Sequence, residues 1–224
     1  MMFLSVPVFS EEAESEYIPK VSSLPWNFKR KIHQKEFGIL VIKSKFRLYV
    51  LDKQFKVIES IPAAIGMNPD TSRKIYEGDK RTPEGLYHIT RIFSTAESED
   101  SDSYKIIQKL NTIYYKAEDG NHHYTDTNKD LGTALYGPRF FEINYPSYAD
   151  KKRYKRLLNK KEIPQDEEGL KKIGYGIGIH GTNDEMSVGM KSTNGCMVLK
   201  NDDVVKLDRY IRIGTPVLIV SSLD

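Results

Sequence analysis

The sequence predicts a mainly β domain over residues 35–221, a sandwich or barrel-like pair of mixed sheets with one or two short helices. Short apolar runs recur between turn signals, which is typical of a sheet built from successive strands. The aromatic residues are mostly Tyr (14) and Phe (9), and both types favour strands. No apolar run approaches the roughly 20 residues that a membrane-spanning helix needs.

The predicted strands fall into two groups. Four runs in the first half read as a meander of short strands: Phe37–Ile42, Phe46–Leu51, Phe55–Ile61 and Gly85–Ile92. Residues 173–179 alternate Gly with bulky residues, which predicts an extended segment with small residues on one face. Val217–Val220 follows Gly214-Thr215-Pro216 and is predicted to be the closing strand.

Two stretches have helical periodicity. Tyr148–Leu158 is basic and spaces its apolar residues for one face, so we expect a short surface helix. An apolar-periodic stretch follows Asn201-Asp202-Asp203, where an Asn or Asp is expected to supply the N-cap. Ser94–Ser103 holds acidic residues and serines and is predicted to be a solvated loop.

Residues 1–34 are predicted to be a lead-in outside the domain. Met2–Phe9 is apolar and is followed by acidic Glu11–Glu14, as at the end of a secretory signal, but a positively charged start is missing. Two interpretations stay open: the chain begins downstream of the true start, or this stretch is an apolar tail. Under the first interpretation the protein is exported.

Charge and motifs exclude several functions. The net charge is only +3, from 34 basic and 31 acidic residues, which is too weak to indicate nucleic-acid binding. The basic residues of 151–172 are expected to be solvated, with an anionic partner as the alternative. The G-x-G at Gly174–Gly176 lacks the third Gly that opens a helix, so no nucleotide site is predicted. His122-His123 lacks a third ligand at metal spacing, so we expect a loop there and neither metal nor cofactor.

The chemistry-bearing residues lie in the last third of the chain. Cys196 is the single cysteine, so no disulfide forms within the chain, and it follows Asn194-Gly195. A thiol becomes a strong nucleophile only as thiolate, so it needs a nearby base, and His180 lies sixteen residues earlier. Gly195 allows a sharp bend that would turn the amides of Gly195 and Cys196 towards one oxyanion. The alternative is a buried, inert cysteine.

Three ordered motifs carry a resemblance to a known family. His180-Gly181-Thr182 followed by Thr193-Asn194-Gly195-Cys196 resembles the signature of the L,D-transpeptidase (YkuD-type) catalytic domain. Residues 78–87 resemble the family's K-x-T-P-x-G turn before a strand, and residues 201–204 and 214–217 resemble its last helix and strand. The resemblance covers residues 37–220. A looser similarity, in residues 141–146 and Asp150, points to the periplasmic murein-modifying branch.

The resemblance implies roles for individual residues. Cys196 would be the nucleophile at the amide between meso-diaminopimelate and a terminal D-amino acid, His180 the general base, and the Gly181 carbonyl the group that orients the imidazole. The amides of Gly195 and Cys196 would form the oxyanion hole. The remaining expected site residues shape that hole or line the substrate cleft: Ser192, Thr193, Asn194, Tyr175 and the loop 183–191.

Three functions remain open at this point. The first is a transpeptidase acting on peptidoglycan stem peptides, with an envelope protein as a second candidate acceptor. The resemblance implies that such a substrate lies outside the inner membrane, so we expect the protein in the periplasm or cell envelope. The second is an L,D-carboxypeptidase or a murein hydrolase that gives the acyl group to water. The third is a catalytically silent wall-binding module, which the intact thiol and imidazole argue against.

One position departs from the family pattern. Many members carry Arg two residues after the cysteine, and here that residue is Val198. An arginine there could stabilise a thiolate or bind a carboxylate in a bidentate fork. Lys191, Lys200 and Arg139 are candidate replacements by residue type. Without the arginine, we expect an acceptor site that is less selective for carboxylates, or else simple strand packing by Val198.

Overall fold

The computed structural model describes residues 19–125 and 127–223, so the predicted apolar and acidic stretches before residue 19 lie outside the described residues. The α-helices are α1 (Trp26–Lys35), α2 (Asp102–Asn111), α3 (Tyr148–Asn159) and α4 (Asn201–Lys206). The strands are β1 (Gly38–Ile42), β2 (Arg47–Leu51), β3 (Val57–Pro62), β4 (Ile65–Gly66), β5 (Gly85–Ser94), β6 (Arg139–Ile143), β7 (Gln165–Asp166), β8 (Gly169–Leu170), β9 (Gly178–His180), β10 (Lys191–Thr193), β11 (Met197–Val198) and β12 (Pro216–Val220).

One eight-stranded mixed sheet dominates the fold, in the order β11-β9-β6-β5-β12-β1-β2-β3. The pairs β1–β12 and β9–β11 are parallel, and the other neighbours are antiparallel. Ala64, just after β3, exchanges two backbone hydrogen bonds with Val198 of β11, at 2.7 and 3.0 Å. The sheet therefore curls until its two ends meet, which confirms the mainly β, barrel-like prediction.

Both faces of the sheet are buried near β1. Ile39 and Val41 point into the interior cluster, whereas Leu40 and Ile42 point outwards to a second cluster under α1. Alternation along a strand places these pairs on opposite faces. This explains why β1 reads as a continuous apolar run rather than an alternating one.

The helices differ most from the sequence-based prediction. Four α-helices form among the described residues, where one or two were expected. Helix α1 covers the end of the predicted lead-in and one residue beyond it, and its Phe28 and Ile32 are fully buried against the sheet. Helix α2 begins inside the predicted acidic loop, after a Ser101 cap whose hydroxyl accepts from the Tyr104 amide. Helix α3 is confirmed, one residue longer than predicted.

The last helix forms where predicted, but its cap is different. The N-cap residue of α4 is Lys200, and it has no side-chain cap bond. Asn201, which was expected to supply the cap, uses its side chain to bind the backbone of Thr182 instead. The predicted extended segment 173–179 is a strand only from Gly178. Within the described part of the chain, no helix is both long and apolar enough to cross a bilayer.

Candidate active site

The fold brings His180 and Cys196 to one face of the sheet. His180 ends β9 and pairs in parallel with Val198 of β11, so these two side chains point to the same side. Cys196 lies at the bend that leads into β11, and it packs against the cluster that contains Phe140, whose ring stacks on His180. The loop between the two strands returns through β10, which pairs with β4. Two short parallel strands therefore position the thiol and the imidazole.

The imidazole of His180 is held by hydrogen bonding and by stacking. Its Nδ1 lies 2.6 Å from the carbonyl oxygen of Gly181, so Nδ1 carries the proton and donates it to that oxygen. In the neutral ring Nε2 is then free to accept a proton. Phe140 stacks nearly parallel to the ring at 5.4 Å between centroids, and Tyr136 lies at 4.6 Å.

The chain that follows His180 is fixed by Asn201. The Asn201 side chain accepts a hydrogen bond from the Thr182 amide at 3.0 Å and donates one to the Thr182 carbonyl at 2.8 Å. A Cβ atom on Gly181 would collide with the Asn201 side-chain oxygen. Glycine at 181 therefore permits this close approach, which keeps the Gly181 carbonyl against the imidazole.

The thiol lies at a sharp bend. Gly195 has φ of +135°, and a Cβ there would lie 2.8 Å from the Arg81 carbonyl oxygen. The Thr193 hydroxyl accepts from the Gly195 amide at 3.0 Å and donates to the Cys196 carbonyl at 2.8 Å. Cys196 is partly exposed, and its sulfur lies 3.7 Å from the Gly176 carbonyl oxygen. Backbone and side-chain bonds on both sides thus fix the cysteine.

Burial sets the resting protonation of both groups. It raises the pKa of the Cys196 thiol to about 11, although a hydrogen bond from the Gly178 amide and the charge of Lys74 oppose the rise. Burial also lowers the pKa of His180 to about 4, against the effect of its bond to Gly181. At neutral pH the pair is therefore a thiol beside a neutral imidazole. A base must therefore take the proton of the thiol when it attacks.

The expected oxyanion donors are in different states. The Gly195 amide is engaged by the Thr193 hydroxyl. The Cys196 amide has no hydrogen-bond partner within the described residues. Of the two amides expected to face an oxyanion, the one at Cys196 is therefore free in this structure, and Thr193 has a role in fixing the bend.

The other predicted site residues are spread around the thiol. Asn194 is exposed next to Gly195. The Ser192 hydroxyl donates to the Ser187 carbonyl within the 183–191 loop, and Met186 of that loop is 86% exposed. Tyr175 is 83% exposed, one residue from the Gly176 carbonyl that contacts the sulfur. These exposed groups are available to a substrate.

Val198 packs within the sheet, and the proposed replacements for the missing arginine lie elsewhere. The Val198 side chain is 5% exposed on the same face as His180. Arg139 forms an ion pair with Asp208 at 2.8 Å, the Lys191 ammonium binds the Pro69 carbonyl, and Lys200 is exposed. The cation that acts on the Cys196 sulfur is Lys74, which is buried and paired with Asp79 at 2.7 Å.

Sequence reasoning missed several residues around the imidazole. Tyr136 packs on His180, and the Asn111 side chain holds its backbone, accepting from the Tyr136 amide at 2.8 Å and donating to the Gly137 carbonyl at 2.9 Å. Lys74 was also missed, and its charge lowers the pKa of the Cys196 thiol. No local pattern marks Tyr136 or Asn111, since they lie 44 and 69 residues from His180. Asn201 carried a signal as a predicted cap, but its partner could not be read from sequence.

His122 and His123 are the residues for which a metal site was considered from sequence and not predicted. His122 lies in a short bridge with Lys116, and the His123 ring contacts Tyr115 and Tyr124. Over residues 19–125 and 127–223, no three His, Cys, Asp or Glu side chains converge as a metal site would require.

The curled sheet and the thiol–imidazole pair define a β-rich enzyme domain. The YkuD family model, L,D-transpeptidase catalytic domain, matches residues 36–219. The chain therefore belongs to the YkuD family of L,D-transpeptidase catalytic domains, as its motifs indicated.

Individual relatives match over shorter or more divergent regions. YqjB of Bacillus subtilis, named as an L,D-transpeptidase, is 57% identical over 42 residues, which is 19% of this chain and 24% of that protein. ErfK/SrfK of Salmonella typhimurium, also named as an L,D-transpeptidase, is 40% identical over 48 residues, 21% of this chain and 16% of that protein. The structure of Bd1075 of Bdellovibrio bacteriovorus aligns with a TM-score of 0.50 and 24% identity, over 85% of this chain and 49% of that one. The chain thus matches half or less of each of these proteins, and the Bd1075 likeness shows the fold alone.

Proposed function

We propose that this protein is a cysteine L,D-transpeptidase that acts through a thioester on the peptidoglycan stem peptide at meso-diaminopimelate. The observation that carries the proposal is the His180 imidazole, which is bound through Nδ1 to the Gly181 carbonyl and stacks on Phe140, where Cys196 also packs. Family membership supports the substrate class. A neutral Nε2 beside a thiol is suited to general-base activation.

The resting state determines the first step. Because thiol and imidazole are both neutral, the proton leaves sulfur for Nε2 as sulfur attacks the carbonyl carbon. The Cys196 amide would donate to the resulting oxyanion. Collapse breaks the C–N bond, the leaving amine takes the proton from the imidazolium, and a thioester remains. An acceptor amine then attacks the thioester, giving its proton to Nε2 and restoring the thiol.

The alternative acceptor is water, which would make the protein an L,D-carboxypeptidase or a murein hydrolase. Val198 favours this alternative, since valine cannot bind an acceptor carboxylate where many relatives carry Arg. An envelope protein as acceptor would use the same thioester. Each of these substrates lies outside the cytoplasmic membrane, so the proposed location is the periplasm or cell envelope.

Product analysis tests the proposal. Purified protein is incubated with disaccharide tetrapeptide, and tripeptide is separated from cross-linked dimer. Dimer as the main product supports transpeptidation, tripeptide supports hydrolysis, and neither product from a folded protein would contradict the proposal. Cys196→Ser is the control.

Fractionation of cells that carry the gene with its full upstream region tests the proposed location. Recovery of the protein from the cytosol alone would contradict that location.

A further inference from the structure

A second cleft lies away from the thiol, between α1, α3 and the start of β5. We call it the α1–α3 cleft; its volume is about 590 Å³, within the range of small-ligand sites. It shares no lining residue with the surroundings of Cys196 and His180. Its lining includes the cations Lys31, Arg73 and Arg153, the carboxylates of Glu84 and Asp150, and the ring of Tyr148.

The two carboxamide oxygens of this cleft are already engaged. The Asn27 side-chain oxygen accepts from the Phe28 amide at 2.9 Å, and the Asn144 oxygen accepts from the His88 amide at 2.8 Å. Since each carboxamide also carries an NH₂ group, both asparagines keep donors for a ligand. The two carboxamides therefore offer donors to a ligand.

The acidic side chains have cations of their own. Glu84 lies 2.7 Å from the buried Lys43, and Asp150 lies 3.0 Å from Arg153. Arg73 is 3.6 Å from Glu84 and half exposed, and the Lys31 ammonium forms no ion pair within the described residues. The cleft thus keeps a surplus of positive charge at Lys31 and Arg73.

The opening of the cleft adds an apolar contact. Tyr148, the first residue of α3, is 82% exposed. An exposed ring beside ammonium, guanidinium and carboxamide donors suits a ligand with carboxylates, carbonyl oxygens and short apolar segments. Those three groups occur together in an acidic peptide. A guanidinium and an ammonium bind carboxylates through charge-assisted hydrogen bonds.

We propose that the α1–α3 cleft binds an acidic peptide, and that in this enzyme the peptide is a second stem peptide that is not the one attacked by Cys196. The assignment to a stem peptide rests on the proposed function. The binding of an acidic peptide rests on the cleft alone. Such a site would hold the domain on peptidoglycan while the thiol acts on a neighbouring stem.

Binding is tested in the full chain with Cys196→Ser, so that no turnover occurs. The probe is the free tetrapeptide L-Ala-γ-D-Glu-meso-diaminopimelate-D-Ala, and its fully amidated form lacks the carboxylates. In ¹H–¹⁵N spectra we expect saturable shifts of the side-chain NH₂ signals of Asn27 and Asn144. Lys31→Gln with Arg73→Gln is expected to weaken binding about tenfold or more, as is amidation of the peptide.

The matched control is Lys151→Gln with Lys155→Gln, which removes the same charge from the exposed face of α3 and is expected to change affinity less than twofold. Unmoved NH₂ signals, or equal weakening by both double variants, would overturn the proposal. Tetraglutamate that binds as tightly as the stem would overturn the stem assignment. Because binding is measured without the thiol, its failure is separate from a failure of wild-type enzyme to form a thioester.

Discussion

Two buried polar regions lie side by side in this domain and differ in whether their side chains are charged. The loop 67–84 encloses formal charges in pairs, with Lys43 against Glu84 and Lys74 against Asp79, each at 2.7 Å. The thiol site holds Cys196 and His180, and both side chains are uncharged at neutral pH. The regions touch where the Arg81 carbonyl packs on Gly195.

The difference shows how burial is compensated. Lys43, Lys74 and Asp79 each have backbone partners besides an ion pair. The Asp79 carboxylate, for example, accepts from the amides of Ile75, Tyr76 and Arg81. At the thiol site desolvation outweighs the few bonds to the charged forms, so both groups stay neutral. The loop therefore has a structural role, whereas the thiol site holds a proton that can be transferred.

Removing the base should have the largest effect. We expect His180→Ala to slow the acylation of Cys196 by a carbapenem by roughly 10²–10⁴, because nothing else replaces the general base. Intact-mass spectrometry measures the adduct. Cys196→Ser should give no adduct, since Cys196 is the single cysteine, and His33→Ala, at an exposed histidine, is the control. Wild-type acylation by His180→Ala would mean that another residue is the base.

Breaking a charge pair in the loop should cost stability. Asp79→Ala leaves the Lys74 ammonium buried without its partner, and we expect a loss of about 3–5 kcal/mol in the free energy of unfolding. Urea denaturation measures it. Asp166→Ala, at the exposed pair with Lys171, should change the free energy of unfolding far less, because water screens that pair. Equal losses in the two variants would contradict the distinction between the regions.

The neutral pair should produce a characteristic pH dependence. The folded pKa of His180 is about 4, below its ordinary value of 6.5, so between those values the unfolded chain binds a proton that the folded chain does not. Its stability contribution is present above pH 6.5 and is lost as pH falls towards 4. The Cys196 pKa is about 11 rather than 9, so its contribution is present below pH 9 and is lost as pH rises towards 11.

Difference measurements isolate these two contributions. The free energy of unfolding of the wild type minus that of His180→Gln should fall only on the acid side. The free energy of unfolding of the wild type minus that of Cys196→Ala should fall only on the alkaline side. A difference for Cys196→Ala that changes near pH 7 would indicate a thiolate at rest. That result would remove the contrast between the charged loop and the neutral site.

The sequence predicts those parts of the fold and site that depend on local pattern. Strands β1, β2 and β5 follow from apolar runs between turns, and the bend at Cys196 follows from Gly195. Helix α1 does not, because Phe28 and Ile32 become core residues only against the outer face of the sheet. The pKa of the Cys196 thiol also cannot be predicted from sequence, since it depends on how deeply the folded site buries the sulfur.

The smallest expected effect concerns Tyr136, which separates packing from chemistry at the neutral site. Its ring lies 4.6 Å from the His180 ring and 5.5 Å from Phe140, while Asn111 fixes its backbone. An aromatic contact contributes about 0.5–1.5 kcal/mol, so Tyr136→Leu should slow acylation roughly 2- to 10-fold by loosening the imidazole. Tyr136→Phe keeps the ring and should stay within twofold of wild type. If Tyr136→Phe instead slows acylation as much as Tyr136→Leu, the hydroxyl acts on the thiol, and the site depends on a polar group as the loop does.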